Sequence, residues 1–179
     1  MWLGWPAYWW IASRAVKPVQ QRESLASRLS YIAPIVLAVF LIATPGLPIP
    51  LLRERFVPRD ASVFAVGATL TAAGLLFAVW ARRHLGRNWS AVVTIRQDHQ
   101  LITSGPYAIV RHPIYAGVLL ALVGSALAVG EWRALLALAI ALTSFVRKLR
   151  LEERWMREHF GDAYEQYCRR VRALIPFVV

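Results

Sequence analysis

Three stretches of this chain carry no charged residue: 31–52, 61–81 and 113–130. A helix rising about 1.5 Å per residue needs roughly 20 residues to cross a hydrocarbon core, so each is long enough to span a bilayer or nearly so. A fourth run, 134–146, is shorter. Trp132 and Arg133 at one end and Arg147 and Lys148 at the other are suited to the membrane interfaces, and their side chains can snorkel there. Residues 1–12 are apolar and Trp-rich without the basic leader and small-residue cleavage site of a signal peptide, and are expected to form a first span. With 58% hydrophobic residues and a mean hydropathy of +0.45, the chain is too apolar for an ordinary soluble domain. The expected architecture is therefore all-α: a polytopic membrane bundle of about five transmembrane helices in one domain, residues 1–179.

The charge pattern orients this bundle. Segments 14–28, 82–111 and 147–179 hold 4, 5 and 8 of the 21 Lys and Arg residues, leaving Arg53, Arg55, Arg59 and Arg133 for the intervening turns. By the positive-inside rule the three rich segments are cytoplasmic, with the N-terminus outside and the C-terminus inside. The net charge of +11 then belongs to membrane borders facing anionic headgroups, and no nucleic-acid partner is expected. The single Cys168 has no partner for an internal disulfide, and no His or Cys pair has metal-ligand spacing, so no metal is expected.

Local signals mark the helix ends and contacts. Pro45, Pro48 and Pro50 end or distort the second span, and Asp60 is a candidate N-cap for the third. Gly117, Ala121 and Ser125 fall on one face of the fourth helix and permit close approach of another helix. The turn at Gly130 and Glu131 is so short that helices four and five must form an antiparallel hairpin.

Two segments exceed what a plain bundle needs. The connection 82–111 is 30 residues long, where links between bundle helices run to about 2 to 8. Within it, 92–95 and 101–103 flank a polar turn and suggest a small hairpin. The second segment, from Arg147 through Met156, continues the fifth helix out of the membrane. Pro113 suits a helix start, which sets Arg111 and His112 at the mouth of helix four and Tyr115 in its first turn. Since helices four and five are hairpin partners, His112 and Tyr115 should face Glu152 or Glu153.

The run from Leu101 through Tyr107, with Ser104, Gly105 and Pro106, and then Arg111, His112, Pro113, Ile114, Tyr115, Ala116 and Gly117, resembles the signature of the isoprenylcysteine carboxyl methyltransferases and their bacterial relatives. So do Glu152 and Glu153, followed by Phe160, Gly161, Tyr164, Tyr167 and Ile175, Pro176 and Phe177. The resemblance covers roughly residues 80–179. It divides the domain into N-terminal spans, 1–81, and a cofactor-binding and catalytic half, 82–179.

The resemblance implies a membrane methyltransferase, in a bacterial inner membrane, whose cytoplasmic segments wrap S-adenosylmethionine. On that analogy Leu101, Tyr107, His112, Pro113, Tyr115, Gly117, Glu152 and Glu153 line the cofactor pocket. Glu152 also acts at the reacting centre, and Arg147, Lys148 and Arg111 are candidates for holding an acceptor carboxylate. The eukaryotic pattern has Arg where this chain has Lys148, and a lysine binds carboxylate as a point charge instead of a planar fork. The acceptor is expected to be lipophilic, most simply a carboxylate. A phospholipid amine, a thiol, or an NADPH-dependent chemistry like that of the membrane sterol reductases remain alternatives, with a noncatalytic scaffold behind them. Each residue also has a plain role. His112 and Arg111 suit headgroup anchoring, Glu152 and Glu153 suit surface pairs with Lys148 and Arg150, and Gly117 suits close packing.

Overall fold

The computed structural model describes residues 2, 4, 8–10, 19–89, 94–96 and 100–176. A short strand β1 (Val19–Arg22) leads into α1 (Leu25–Ala43), followed by a single-turn helix α2 (Pro50–Arg53) and α3 (Ala61–Leu85). A strand β2 (Thr94–Arg96) precedes α4 (Pro113–Val129), α5 (Trp132–Phe160) and α6 (Asp162–Arg170). The fold is helical, as the hydropathy pattern requires.

Helix boundaries follow local chemistry. Ser24 caps α1, its Oγ accepting from the Ser27 amide at 3.2 Å, so the helix begins in polar sequence, six residues before the uncharged run. It ends at Ala43 because Thr44 precedes Pro45, and the proline ring drives the preceding residue to extended backbone (φ −101°, ψ 99°). The expected span 31–52 is thus an earlier helix plus a proline-started turn. Asp60 caps α3 as expected, accepting from the amides of Ser62 (2.8 Å) and Val63 (3.4 Å). Gly130, at φ +69°, takes the left-handed conformation that lets α4 and α5 fold back on each other.

The expected hairpin of 92–95 with 101–103 is not formed among the described residues, outside which 92 and 93 lie. Among the described residues, Thr94–Arg96 pairs antiparallel with Val19–Arg22 instead, and residues 100–103 carry no strand. The segments before α1 and after α3 leave the same end of the bundle, so the tertiary fold supplies a partner that local sequence does not show. The expected first span, 1–12, lies largely outside the described residues. Of those described, Trp2 donates its indole N–H to Ser125 Oγ (2.9 Å), and the Trp9 ring lies 4.9 Å from that of Trp89.

The tightest packing is between α3 and α4, antiparallel, with small residues on both sides. Gly67 lies against Gly124 and Gly74 against Gly117, and a Cβ added at Gly74 or Gly117 would stand 2.4 or 2.6 Å from the opposing carbonyl oxygen. The face of Gly117, Ala121 and Ser125 therefore meets α3, where Thr71 Oγ1 bonds the carbonyl of Gly67 at 2.8 Å. Because the colliding atoms are backbone, Gly74→Ala or Gly117→Ala is expected to lower stability by about 1–3 kcal/mol, the usual scale of overpacking. Gly46→Ala, which meets nothing within 4 Å, should leave thermal unfolding in detergent unchanged. Equal melting temperatures for all three variants would refute this packing.

The second pair is α1 against α5, closed around Ala38, Leu41, Leu122, Ala137, Ala141 and Phe145. Here one expectation is corrected. Arg133 does not snorkel outward: it is 4% exposed and its Nη1 donates to the carbonyls of Leu41 (2.7 Å) and Ile42 (2.6 Å), while Glu131 takes its Nε–H at 2.6 Å. The last carbonyls of α1 lack helical partners, and the guanidinium supplies them. Trp132 does face outward.

The outer faces of the helices are apolar, with Leu76 70%, Val36 61% and Phe64 61% exposed. A surface like this over two helices long enough to cross a bilayer, Leu25–Ala43 and Ala61–Leu85, is one that only lipid solvates at low cost. Pro113–Val129 is apolar but shorter.

Candidate active site

At the end of the bundle where α4 begins, the preceding chain is fixed by three anchors. Gly105, at φ +59°, rests on the imidazole of His84, 2.7 Å from where a Cβ would stand, and His84 Nε2 bonds Ser104 Oγ at 2.9 Å. The Tyr107 ring stacks on His84, and the Tyr107 carbonyl accepts from the Tyr167 hydroxyl of α6 at 2.6 Å. The amides of Arg111 and His112 then donate to the carbonyls of Arg172 (2.8 Å) and Ala173 (3.0 Å). The C-terminal segment thereby runs beside the mouth of α4. Pro113 starts that helix at a position where no amide hydrogen is needed.

These anchors aim His112 at α5. Its Nε2 lies 3.3 Å from Glu153 Oε1 and its Nδ1 3.6 Å from Glu152 Oε2. Arg111 grips the same Glu153 oxygen through Nε (2.9 Å) and Nη2 (2.5 Å), and its Nη1 donates to the Val171 carbonyl at 2.5 Å. Tyr115 stacks parallel to His112, with interplanar angle 4°, and donates its hydroxyl to Glu152 Oε1 at 2.5 Å. Lys148, one turn before Glu152, brings its ammonium within 4.0 Å of that carboxylate.

Burial and charge set the protonation of this cluster. Burial opposes the charged form of Glu153, yet hydrogen bonds from His112 and Arg111 outweigh it and hold the carboxyl at about 2. Burial likewise disfavours the His112 imidazolium, but Glu152 and Glu153 more than offset it and hold the ring above its ordinary value. Glu152 is held low against its burial by His112 and Lys148. For Lys148 burial wins over the attraction of Glu152 and Glu23, and its value falls.

The sequence matches the phospholipid methyltransferase family over residues 62–163, more than half of the chain and all of the helices that build this cluster up to α6. The chain belongs to that family. A probable protein-S-isoprenylcysteine O-methyltransferase of Oryza sativa subsp. indica is 30% identical over 158 residues, 87% of this chain and 80% of the relative. The Schizosaccharomyces pombe protein-S-isoprenylcysteine O-methyltransferase is 34% identical over 96 residues, 52% of this chain and 41% of its own. The solved eukaryotic intramembrane Ras methyltransferase ICMT shares the fold, with a TM-score of 0.60 at 24% identity over 83% of this chain. This chain spans 53% of the length of that protein and 41% of the yeast relative.

Among the residues anticipated for a membrane methyltransferase site, His112, Tyr115, Lys148, Glu152, Glu153 and Arg111 are brought together here. Arg111, however, is committed to Glu153 and to the Val171 carbonyl. Arg147 turns to α1, its Nε donating to Ser30 Oγ at 2.5 Å. Gly117, two residues and about 200° around the helix from Tyr115, is held in the contact with Gly74 and is not brought to the cluster. Pro113 and Tyr107 are buried beside it, and Leu101 is half-buried at the start of the anchored segment.

Two participants escaped sequence reasoning. Glu23 and Tyr31 of the α1 end pack behind Lys148, and the Tyr31 hydroxyl donates to Glu23. The available signal was that Glu23 is the sole acid before Glu54, standing among basic residues ahead of an apolar run.

Proposed function

We propose that this protein transfers a methyl group from S-adenosylmethionine to a lipophilic carboxylate, of the isoprenylcysteine type, at the cytoplasmic face of a bacterial inner membrane. The observation that carries the reading is the convergence of Tyr115, His112 and Lys148 on the partly accessible carboxylate of Glu152. Family membership favours methyl transfer over the reductase and scaffold alternatives. The prenylcysteine acceptor is inferred from relatives such as the rice protein, of which this chain covers 80%.

The donor set fits the cofactor's chemistry. Glu152 retains 23% of its side-chain exposure, and among the described residues its Oε2 is met by His112 at 3.6 Å, longer than a hydrogen bond, so it keeps capacity to accept from hydroxyl or ammonium groups. Glu152, with His112 and Tyr115 behind it, would hold such groups of S-adenosylmethionine. The bound cofactor supplies an activated sulfonium methyl. A carboxylate is already anionic, so the protein needs no dedicated base to prepare it. Catalysis by the chain's own residues then rests on orientation and water exclusion, for which effective molarities reach about 10⁵ M or more. Lys148, whose ammonium stands 4.0 Å from the Glu152 carboxylate, is the cation we assign to the acceptor; Arg111 is directed to Glu153 and Arg147 to Ser30.

This separates two variants that sequence alone treats alike. Lys148→Gln should lower methyl transfer to a prenylcysteine roughly tenfold or more, with affinity for S-adenosylhomocysteine nearly intact, on the scale of a lost hydrogen bond to a charged group. Arg147→Gln should remain close to wild type. Unchanged turnover in Lys148→Gln would eliminate the carboxylate clamp and favour an amine or thiol acceptor.

Five crossings with the N-terminus outside complete the proposal, on the charge asymmetry of the segments. Cysteines placed at Asn88 and Asp162 in a Cys168→Ser background should react with a membrane-impermeant reagent only after the membrane is opened. Labelling of either from outside intact cells would reverse the orientation.

A further inference from the structure

Lys148 has a wall on the α1 side that the reaction described above does not use. Tyr31, 2% exposed, presents its ring 5.3 Å from Lys148 Nζ, and Tyr115 presents its own at 5.2 Å from the other helix pair. The Tyr31 hydroxyl donates to Oε1 of Glu23, and Ser27 Oγ donates to Oε2 at 2.8 Å, so both oxygens of a 7% exposed carboxylate are held in place. An ammonium taken this far out of water needs substitutes for its hydration, and aromatic faces and carboxylates are those substitutes.

We infer that Glu23 and Tyr31 are positioning residues of the acceptor site, forming the α1 side of a cage that keeps the Lys148 ammonium charged and directed at the acceptor carboxylate. The inference rests on the carboxylate-acceptor reading. It adds that α1, wholly outside the part of the chain matched to the family model, takes part in substrate recognition. Among the described residues the groups facing Lys148 include Glu152 on its own helix, Tyr115 from α4, and Glu23 and Tyr31 from the α1 side, with His112 beside Glu152 and Arg28 near Tyr31. Burial pushes the lysine below its ordinary value while Glu152 and Glu23 oppose that fall, so loss of either carboxylate drives it further down.

The chain has two lysines, Lys17 and Lys148, so protein carrying carbon-13 at lysine Cε should give two resonances, assigned with Lys17→Arg. In Glu23→Gln the titration midpoint of Lys148 should move to lower pH, and the alkaline limb of kcat/KM for the acceptor should move with it. The acceptor KM should rise about three- to tenfold, the scale of coupling within one network, with kcat and S-adenosylhomocysteine affinity little changed. Should Glu23→Gln fail to fold, Tyr31 variants carry the test: Tyr31→Phe, which keeps the ring, should hold the Lys148 midpoint closer to wild type than Tyr31→Leu. A merely structural role would lower the melting temperature and leave the midpoint in place. An unmoved Lys148 resonance in Glu23→Gln, or equal midpoints in the two Tyr31 variants, overturns the inference. A wild-type protein that transfers no methyl to a carboxylate while the midpoint still shifts overturns the acceptor reading and not the coupling of Glu23 to Lys148.

Discussion

Replacing Glu153 by Ala is expected to destabilise the protein by about 3–5 kcal/mol, the cost of removing one partner from a buried ion pair. Arg111 and His112, both close to fully buried, would lose their shared anion, and Arg157 would lose its contact at 3.3 Å. Thermal unfolding of purified protein in detergent measures the effect, and a melting temperature near wild type would show that this carboxylate is not the keystone of the α4, α5 and α6 junction. Acid should reproduce the loss. The Glu153 carboxyl is held at about 2 against an ordinary 4.5, so its stabilisation is complete above pH 4.5 and is lost as pH falls towards 2. At about 1.4 kcal/mol per pH unit this amounts to roughly 3–4 kcal/mol. His112 acts in the opposite direction: its raised value contributes stability that is full below the ordinary histidine range and is lost as pH rises through the folded value. Glu153→Gln should therefore flatten the acid limb of the stability profile.

The second large effect falls on binding. Glu152→Gln keeps the size of the side chain and an oxygen for the Tyr115 hydroxyl, so the helices should stay folded while the negative charge disappears. Affinity for S-adenosylhomocysteine is expected to fall about tenfold to a hundredfold, corresponding to roughly 1.5–3 kcal/mol for a hydrogen bond to a charged group. His112→Ala should weaken the same binding and also soften the fold, because this ring bridges Glu152 and Glu153. Calorimetric titration of the solubilised protein distinguishes the two. Native affinity in both variants would remove Glu152 and His112 from the cofactor pocket and leave them as junction residues only.

The two glutamates thus divide the labour between neighbouring positions on one helix. Glu153, about 100° around the helix from Glu152, faces inward to Arg111 and the C-terminal segment, whereas Glu152 keeps an accessible oxygen edge. On the function proposed above, an adjacent acidic pair at the end of a membrane helix is useful in this way: one carboxylate would fix the site and the other would bind.

How far the sequence reaches can be judged residue by residue. The short Gly130 turn forces α4 and α5 together, so the meeting of His112 and Tyr115 with Glu152 and Glu153 was legible. The prolines after α1 and the Asp60 cap were legible for the same reason: they act within a few residues of themselves. Helix starts in polar sequence, such as Leu25 after Ser24, were less so, because hydropathy marks the apolar run and not the cap.

What the sequence by itself determined is therefore the membrane setting, the helical class, and the cluster joined by one tight turn, since each depends on local chemistry or on composition. What only the tertiary structure decided is every pairing across long separations. It matched β1 with β2 instead of a local hairpin, turned Arg133 inward onto α1, gave Gly117 to the contact with Gly74, committed Arg111 to Glu153 and the Val171 carbonyl, and brought Glu23 and Tyr31 behind Lys148. The physical reason is common to all of them. A buried polar or backbone group takes whichever partner the packed helices bring within hydrogen-bonding reach, and that partner is set by how α1 lies on α5 and α3 on α4, which no local window of residues encodes.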